Sequence, residues 1–208
     1  MMNQPVTIRR LIVSLAVLAA TSACGDVARE GRSPVYLVID SFQAAPGNKL
    51  TPLVNPLFSD VITNVTSPAP CSATAPCPTW FNDIGSVVLH LVPKDISIAP
   101  TTNNQVTISR YHVAYKRADG RNTPGVDVPY GFDGALTWTV PPTGTVTAGF
   151  ELVRNIAKKE TPLVQLIANP QIIITVIADV TFYGRDQVGN DISVTGSISI
   201  EFGNFGDF

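Results

Sequence analysis

From Ile174 to Phe202 the chain alternates apolar and polar residues with a period of two. Ile174, Val176, Ala178, Val180 and Phe182 fall on one side, and Thr175, Asp179, Thr181 and Tyr183 on the other. After a turn over residues 184–191, Ile192, Val194, Gly196, Ile198, Ile200 and Phe202 alternate with Ser193, Thr195, Ser197, Ser199 and Glu201. A helix would scatter such a set around its circumference, whereas a strand sends successive side chains to opposite faces. The pattern predicts an antiparallel hairpin with one face on a core and one in water.

The same reading extends upstream. Residues 34–42 form a first strand, rich in β-branched and aromatic residues. Val87, Leu89 and Leu91 alternate with Val88, His90 and Val92, which predicts a strand covered on both faces. Residues 106–117 alternate too, with a phase slip between Ile108 and Tyr111 that marks a bulge. Residues 136–140 and 146–153 complete seven strands. Thr161-Pro162 places a capping hydroxyl before a proline at the first helical position, and Leu163, Val164, Leu166 and Ile167 follow it on one side. One short helix is expected there. Residues 43–83 are rich in proline, and a structureless loop that long is unusual. A short strand or helical turn near residues 59–65 is expected to tie the segment to the core. Trp80 and Phe81 either plug the core or lie exposed as a contact patch.

Charge is sparse, at 14% of residues against the usual quarter, while 17 Pro and 15 Gly favour short strands joined by turns. Without Arg9 and Arg10 the chain carries 12 basic against 16 acidic residues, and no basic cluster is visible. A nucleic-acid partner is not expected.

Residues 1–24 have three parts: the basic pair Arg9-Arg10, an apolar run over 11–20, and Thr21-Ser22-Ala23 before Cys24. This is the build of a secretory signal, and the run is about half the length of a membrane span. Small residues followed at once by Cys resemble the lipobox of bacterial lipoproteins, although Thr21 stands where that family favours an aliphatic residue. The resemblance implies a signal peptide over 1–23, Cys24 as a lipid-bearing (palmitate-type) first residue, a tether over 24–33 and a folded domain over 34–208. It also implies a place in the cell envelope. Gly25 rather than Asp after the cysteine favours the outer membrane.

With Cys24 assigned to lipid, Cys71 and Cys77 remain as an even pair in an oxidising compartment, and a disulfide is expected. Zinc is the rival reading, but the spacing is long and further His or Cys ligands are missing nearby. Asp186, Asn190 and Asp191 in one turn, and Asp119 and Asn122 in another, offer oxygens to calcium, but neither turn supplies six. No metal or cofactor is expected.

Seven strands with turns between them suggest a β-sandwich. Tyr111-His-Val113-Ala-Tyr115 resembles the Tyr-x-Val-x-Tyr pattern on a central strand of fibronectin type III modules. Asp186-Gln-Val-Gly189-Asn190 is similar to the Asp-x-x-Gly-Asn turn of bacterial immunoglobulin-like repeats. These resemblances imply an all-β, immunoglobulin-like antiparallel β-sandwich with one short helix. Such modules act as spacers, adhesins or docking units.

Nucleophile elbows, Walker loops and zinc-protease motifs are absent. His90 and His112 fall within strands, where a structural histidine is the common case. The expectation is a non-enzymatic binding or structural module anchored in the membrane by lipid, with an envelope protein or polysaccharide as partner. The alternative is an envelope hydrolase or carbohydrate-active module; Asp127, Asp133 and His112 converging in a concave pocket would favour it. Loops carry function in such folds, and residues 121–134 are the best contact candidate. Arg121, Tyr130 and Phe132 are the side chains expected to meet a partner, unless Tyr130 and Phe132 cap one end of the core.

Overall fold

A computed structural model describes residues 31–206. The expected signal peptide over 1–23 and Cys24 lie outside the described residues. The fold is mostly β, in antiparallel sheets that share one core. In chain order the strands are β1 (Val35–Ala45), β2 (Leu57–Asp60), β3 (Thr63–Val65), β4 (Cys77–Thr79), β5 (Asp83–Pro93), β6 (Val106–Lys116), β7 (Phe132–Val140), β8 (Thr145–Val153), β9 (Ile174–Asp186) and β10 (Asp191–Gly203). A single helical turn, α1 (Asn155–Lys158), and a 3-10 helix at Leu163–Ala168 lie between β8 and β9.

One sheet has the order β1-β5-β8 and the other β2-β10-β9-β6-β7, while β3 and β4 form a separate ribbon. The predicted hairpin is β9 and β10, paired from Asp191–Arg185 to Phe202–Ile174. Val176, Ala178, Val180 and Phe182 are buried, as are Ile192, Ile198, Ile200 and Phe202. On the opposite, wet face Thr181 and Thr195 bond hydroxyl to hydroxyl at 2.8 Å, and Ser197 donates to Asp179 at 2.6 Å. The turn is tighter than expected because β9 continues to Asp186. That carboxylate accepts from the backbone N–H groups of Val188 and Asn190 and from the Asn190 side chain. Gly189 sits at φ +90°, a conformation that needs glycine. Asp186 thus serves its own turn, and Asp191 pairs with Arg185 at 2.6 Å.

The sheets meet through aromatic rings. Phe150 of β8 lies 5.2 Å from both Tyr111 of β6 and Phe182 of β9, edge to face. The predicted bulge in β6 is present: register shifts between Ile108 and Arg110 against both neighbouring strands. A second bulge, between Ile39 and Ser41 of β1, moves the buried phase from Val35 and Leu37 to Phe42 and Ala44. In β5, Val87, Leu89 and Leu91 are buried but Val88, His90 and Val92 are only half-buried, so one face is covered rather than two.

Within 43–83, β2 lies parallel to β10 at the sheet edge and buries Leu57, and the Cys71–Cys77 disulfide closes a short loop in the connection that leads from β3 into β4. The helix expected at 161–168 is a 3-10 helix that buries Leu163 and Leu166. It is not capped as expected: the Thr161 hydroxyl instead donates to the Gly125 carbonyl at 2.5 Å.

The pairings define two ends. Val35 is opposite Pro93, His90 opposite Thr145, and Val106 opposite both Val140 and Asp186. The first strand therefore begins at the end that carries loops 94–105, 141–144 and 187–190. Loops 46–56, 117–131 and 154–173 lie at the other end. Thirteen-residue β9 separates the two by about 40 Å.

Candidate contact surface

The end far from the start of β1 is built from the β6–β7 loop, α1 and the start of β5. The loop leaves β6 through a carboxylate clamp: Asp119 accepts from Arg117 at 2.7 Å and from Arg121 at 2.8 Å. The Arg121 hydrogen bonds hold the Asp119 carboxyl at about 2. The chain then tightens over 123–128, where Thr123 receives backbone bonds from Val126 and Asp127 and donates its own N–H to the Asp127 side chain. Gly125 has φ +75°, and a Cβ there would collide with the Tyr130 ring. The Tyr130 ring therefore packs against the loop at Gly125 while staying 58% exposed, and Val126 is 66% exposed.

Phe132 behaves differently from its neighbour. As the first residue of β7 it is buried, 6.1 Å from Tyr111 in a T-shaped contact, and the Arg154 guanidinium covers its outer side at 3.8 Å. The Arg121 side chain is exposed and already engaged with Asp119. Of the three expected contact residues, Tyr130 and Arg121 lie at the surface and Phe132 lies in the core.

Behind this loop sits a charged cluster that sequence reasoning missed. Lys158 and Asp83 are buried, with Nζ and Oδ1 2.8 Å apart. The same Oδ1 accepts from the Gly47 N–H at 3.0 Å, and Oδ2 accepts from the Ser59 hydroxyl at 2.5 Å. One carboxylate thus fastens α1, β2 and the turn after β1 to the start of β5. Neither Asp83 nor the Lys158 of Ala-Lys-Lys-Glu carries a pattern that would have marked it. Next to them, Tyr115 donates to the Leu152 carbonyl at 2.6 Å, and burial pushes its phenol pKa up, with the Asp83 charge adding to the shift. Asp83, Ser59 and Lys158 are all shut off from solvent, so the cluster is a brace without substrate access.

The brace leaves α1 presenting outward. Ile156 is 53% exposed, Lys159 sits 4.8 Å over the half-buried Trp80 ring, and the Asn155 N–H bonds to Asn82. Trp80 thus shares in the far-end surface without being fully a core plug. Tyr130, Val126 and Ile156 add apolar area on segments joined by the Thr161–Gly125 bond.

His112 and Asp133 do approach, at 3.3 Å, but on the outer face of the sheet, where Arg110 shares the same carboxylate at 3.1 Å. Asp127 stays in its turn. His90 lies 2.8 Å from Asp40 at the β1 bulge, without the alignment a hydrogen bond needs. A cleft of about 540 Å³ opens between β7 and β8, lined by Tyr111, Asp133, Trp138, Phe150, Glu151 and Arg154. Arg154 occupies its rim, bonded to Glu151 at 3.3 Å and to the Asp133 carbonyl at 2.9 Å. Among the described residues no group of three His, Cys, Asp or Glu side chains could hold a metal, and no helix is long and apolar enough to cross a membrane. No protein-family model and no curated protein sequence matches the chain.

Proposed function

We propose that the protein is a lipid-anchored, non-enzymatic module of the bacterial cell envelope that binds a protein or polysaccharide partner through its far-end loops. The observation that carries this reading is polarity: the strand leading from Cys24 begins at one end, while Tyr130, Val126 and Ile156 are exposed at the other. A lipid at Cys24, in the outer membrane on the Gly25 argument, leaves that surface facing away from the bilayer.

The fold we propose is an immunoglobulin-like sandwich. The strand order supports it: the first edge is split between sheets, with β1 on β5 and β2 parallel to β10, while β9 and β6 are central in the larger sheet. Such folds carry contacts on their end loops. A second reading, a hydrolase or carbohydrate-active module, has one observation in its favour, the carboxylates of Asp133 and Glu151 beside Trp138 in the β7–β8 cleft.

Two substitutions test the contact surface. Tyr130→Ala should reduce partner crosslinking in cells while leaving thermal unfolding unchanged, because the ring is exposed. Phe132→Ala should cost about 3–5 kcal/mol, as for a truncated core phenylalanine. If Tyr130→Ala leaves crosslinking intact, the contact surface lies elsewhere.

A further inference from the structure

The end of the molecule where β1 begins has apolar tips of its own. Ile96 is 94% exposed and Val188 72%, and no other large hydrophobic side chain among the described residues exceeds either; Ile98 adds 63%. Ile96 is displayed by construction. Asp95 accepts from both the N–H and the hydroxyl of Ser97, and the Ile98 N–H bonds back to the Asp95 carbonyl. These bonds close a tight turn that holds Ile96 outward at its corner. Val188 projects from the β9–β10 turn, which Asp186 locks from within.

The incoming chain runs alongside this loop. Lys94 bonds through its N–H to the Pro34 carbonyl at 2.9 Å and through Nζ to the Gly31 carbonyl at 3.2 Å. Cys24 precedes Gly31 by seven residues, a reach of at most about 25 Å. The nearby charges balance, with Arg32, Lys94 and Arg185 against Asp95, Asp186 and Asp191. Attraction to an anionic surface is therefore not the organising force.

We infer that Ile96, Ile98 and Val188 form a membrane-contacting tip that dips into the interfacial layer beside the lipid anchor and holds the domain upright. The inference rests on the lipid-anchor reading above. Its partner is the bilayer itself, zwitterionic lipid being sufficient. Apolar side chains at such a tip reach the headgroup–acyl boundary, about 5–10 Å deep. The far-end loops then stand about 40 Å further out, one strand length away.

The experiment uses the full lipidated chain. With Cys24 acylated and Cys71 bonded to Cys77, Ile96→Cys provides the single free thiol for an environment-sensitive fluorophore. Val188→Cys and the far-end Val126→Cys are labelled likewise. Each protein is floated on phosphatidylcholine vesicles containing nitroxide-labelled lipid. The expected result is severalfold stronger quenching at positions 96 and 188 than at 126. Equal quenching at all three positions in vesicle-bound protein would overturn the inference and leave the anchor standing. Failure of the proteins to float would overturn the anchor, and this inference with it.

Discussion

Lys158 and Asp83 show how much rests on one buried pair. Such a pair can be neutral in net stability, yet removing one partner strands the other. Lys158→Met should destabilise by about 3–5 kcal/mol, and Asp83→Asn combined with it should recover part of the loss. A Lys158→Met protein that unfolds at the wild-type denaturant midpoint would show that the pair does not brace the fold. Tyr115, beside it, makes a pH prediction. Its phenol pKa is raised in the folded state, so above about pH 10 the unfolded chain loses a proton that the folded chain keeps. Stability should then fall with rising pH, by at most about 1.4 kcal/mol per pH unit from this group. The extra alkaline loss should vanish in Tyr115→Phe, and an unchanged slope would contradict the assignment. Lys158 and Asp83 were illegible in the sequence because a partnered buried charge looks like any surface charge until its neighbours are known.

Elements were legible where periodicity ran long. Strands β9 and β10 and the β6 bulge follow from alternation and its slip, because one face must be buried. The β1 bulge escaped because Val38, Ile39 and Asp40 blur the phase across it, and β2 to β4 are too short to show a period. Apolar spacing marks the 3-10 helix at Leu163–Ala168, but Thr161 does not cap it and reaches across to Gly125 instead. The disulfide was legible only with Cys24 set aside as lipid-bearing, which leaves Cys71 and Cys77 as an even pair. Closing so short a loop contributes roughly 2 kcal/mol on the chain-entropy view. Cys71→Ser with Cys77→Ser should lower unfolding stability by about that amount, and an unshifted midpoint would show that β3–β4 pairing holds the ribbon without it.

At the scale of the whole molecule, chain direction sets the arrangement. The first strand starts at the end with the Ile96 tip, and after β1 runs out, β5 back and β6 out again the β6–β7 loop emerges at the other end. The contact candidate at 121–134 stands out by its composition. Its place at the end opposite the start of β1 could not be read without strand order, and its split into exposed Tyr130 and buried Phe132 could not be read without register. The proposed far-end contact surface and the proposed near-end tip both rest on lipid at Cys24. The most direct test is mass spectrometry of the mature N-terminal peptide from membranes of cells expressing the full chain. Removal of residues 1–23 and a diacylglyceryl thioether on Cys24, lost in Cys24→Ser, are the expected result; an unmodified cysteine, or a mature chain beginning elsewhere, would contradict lipid anchoring.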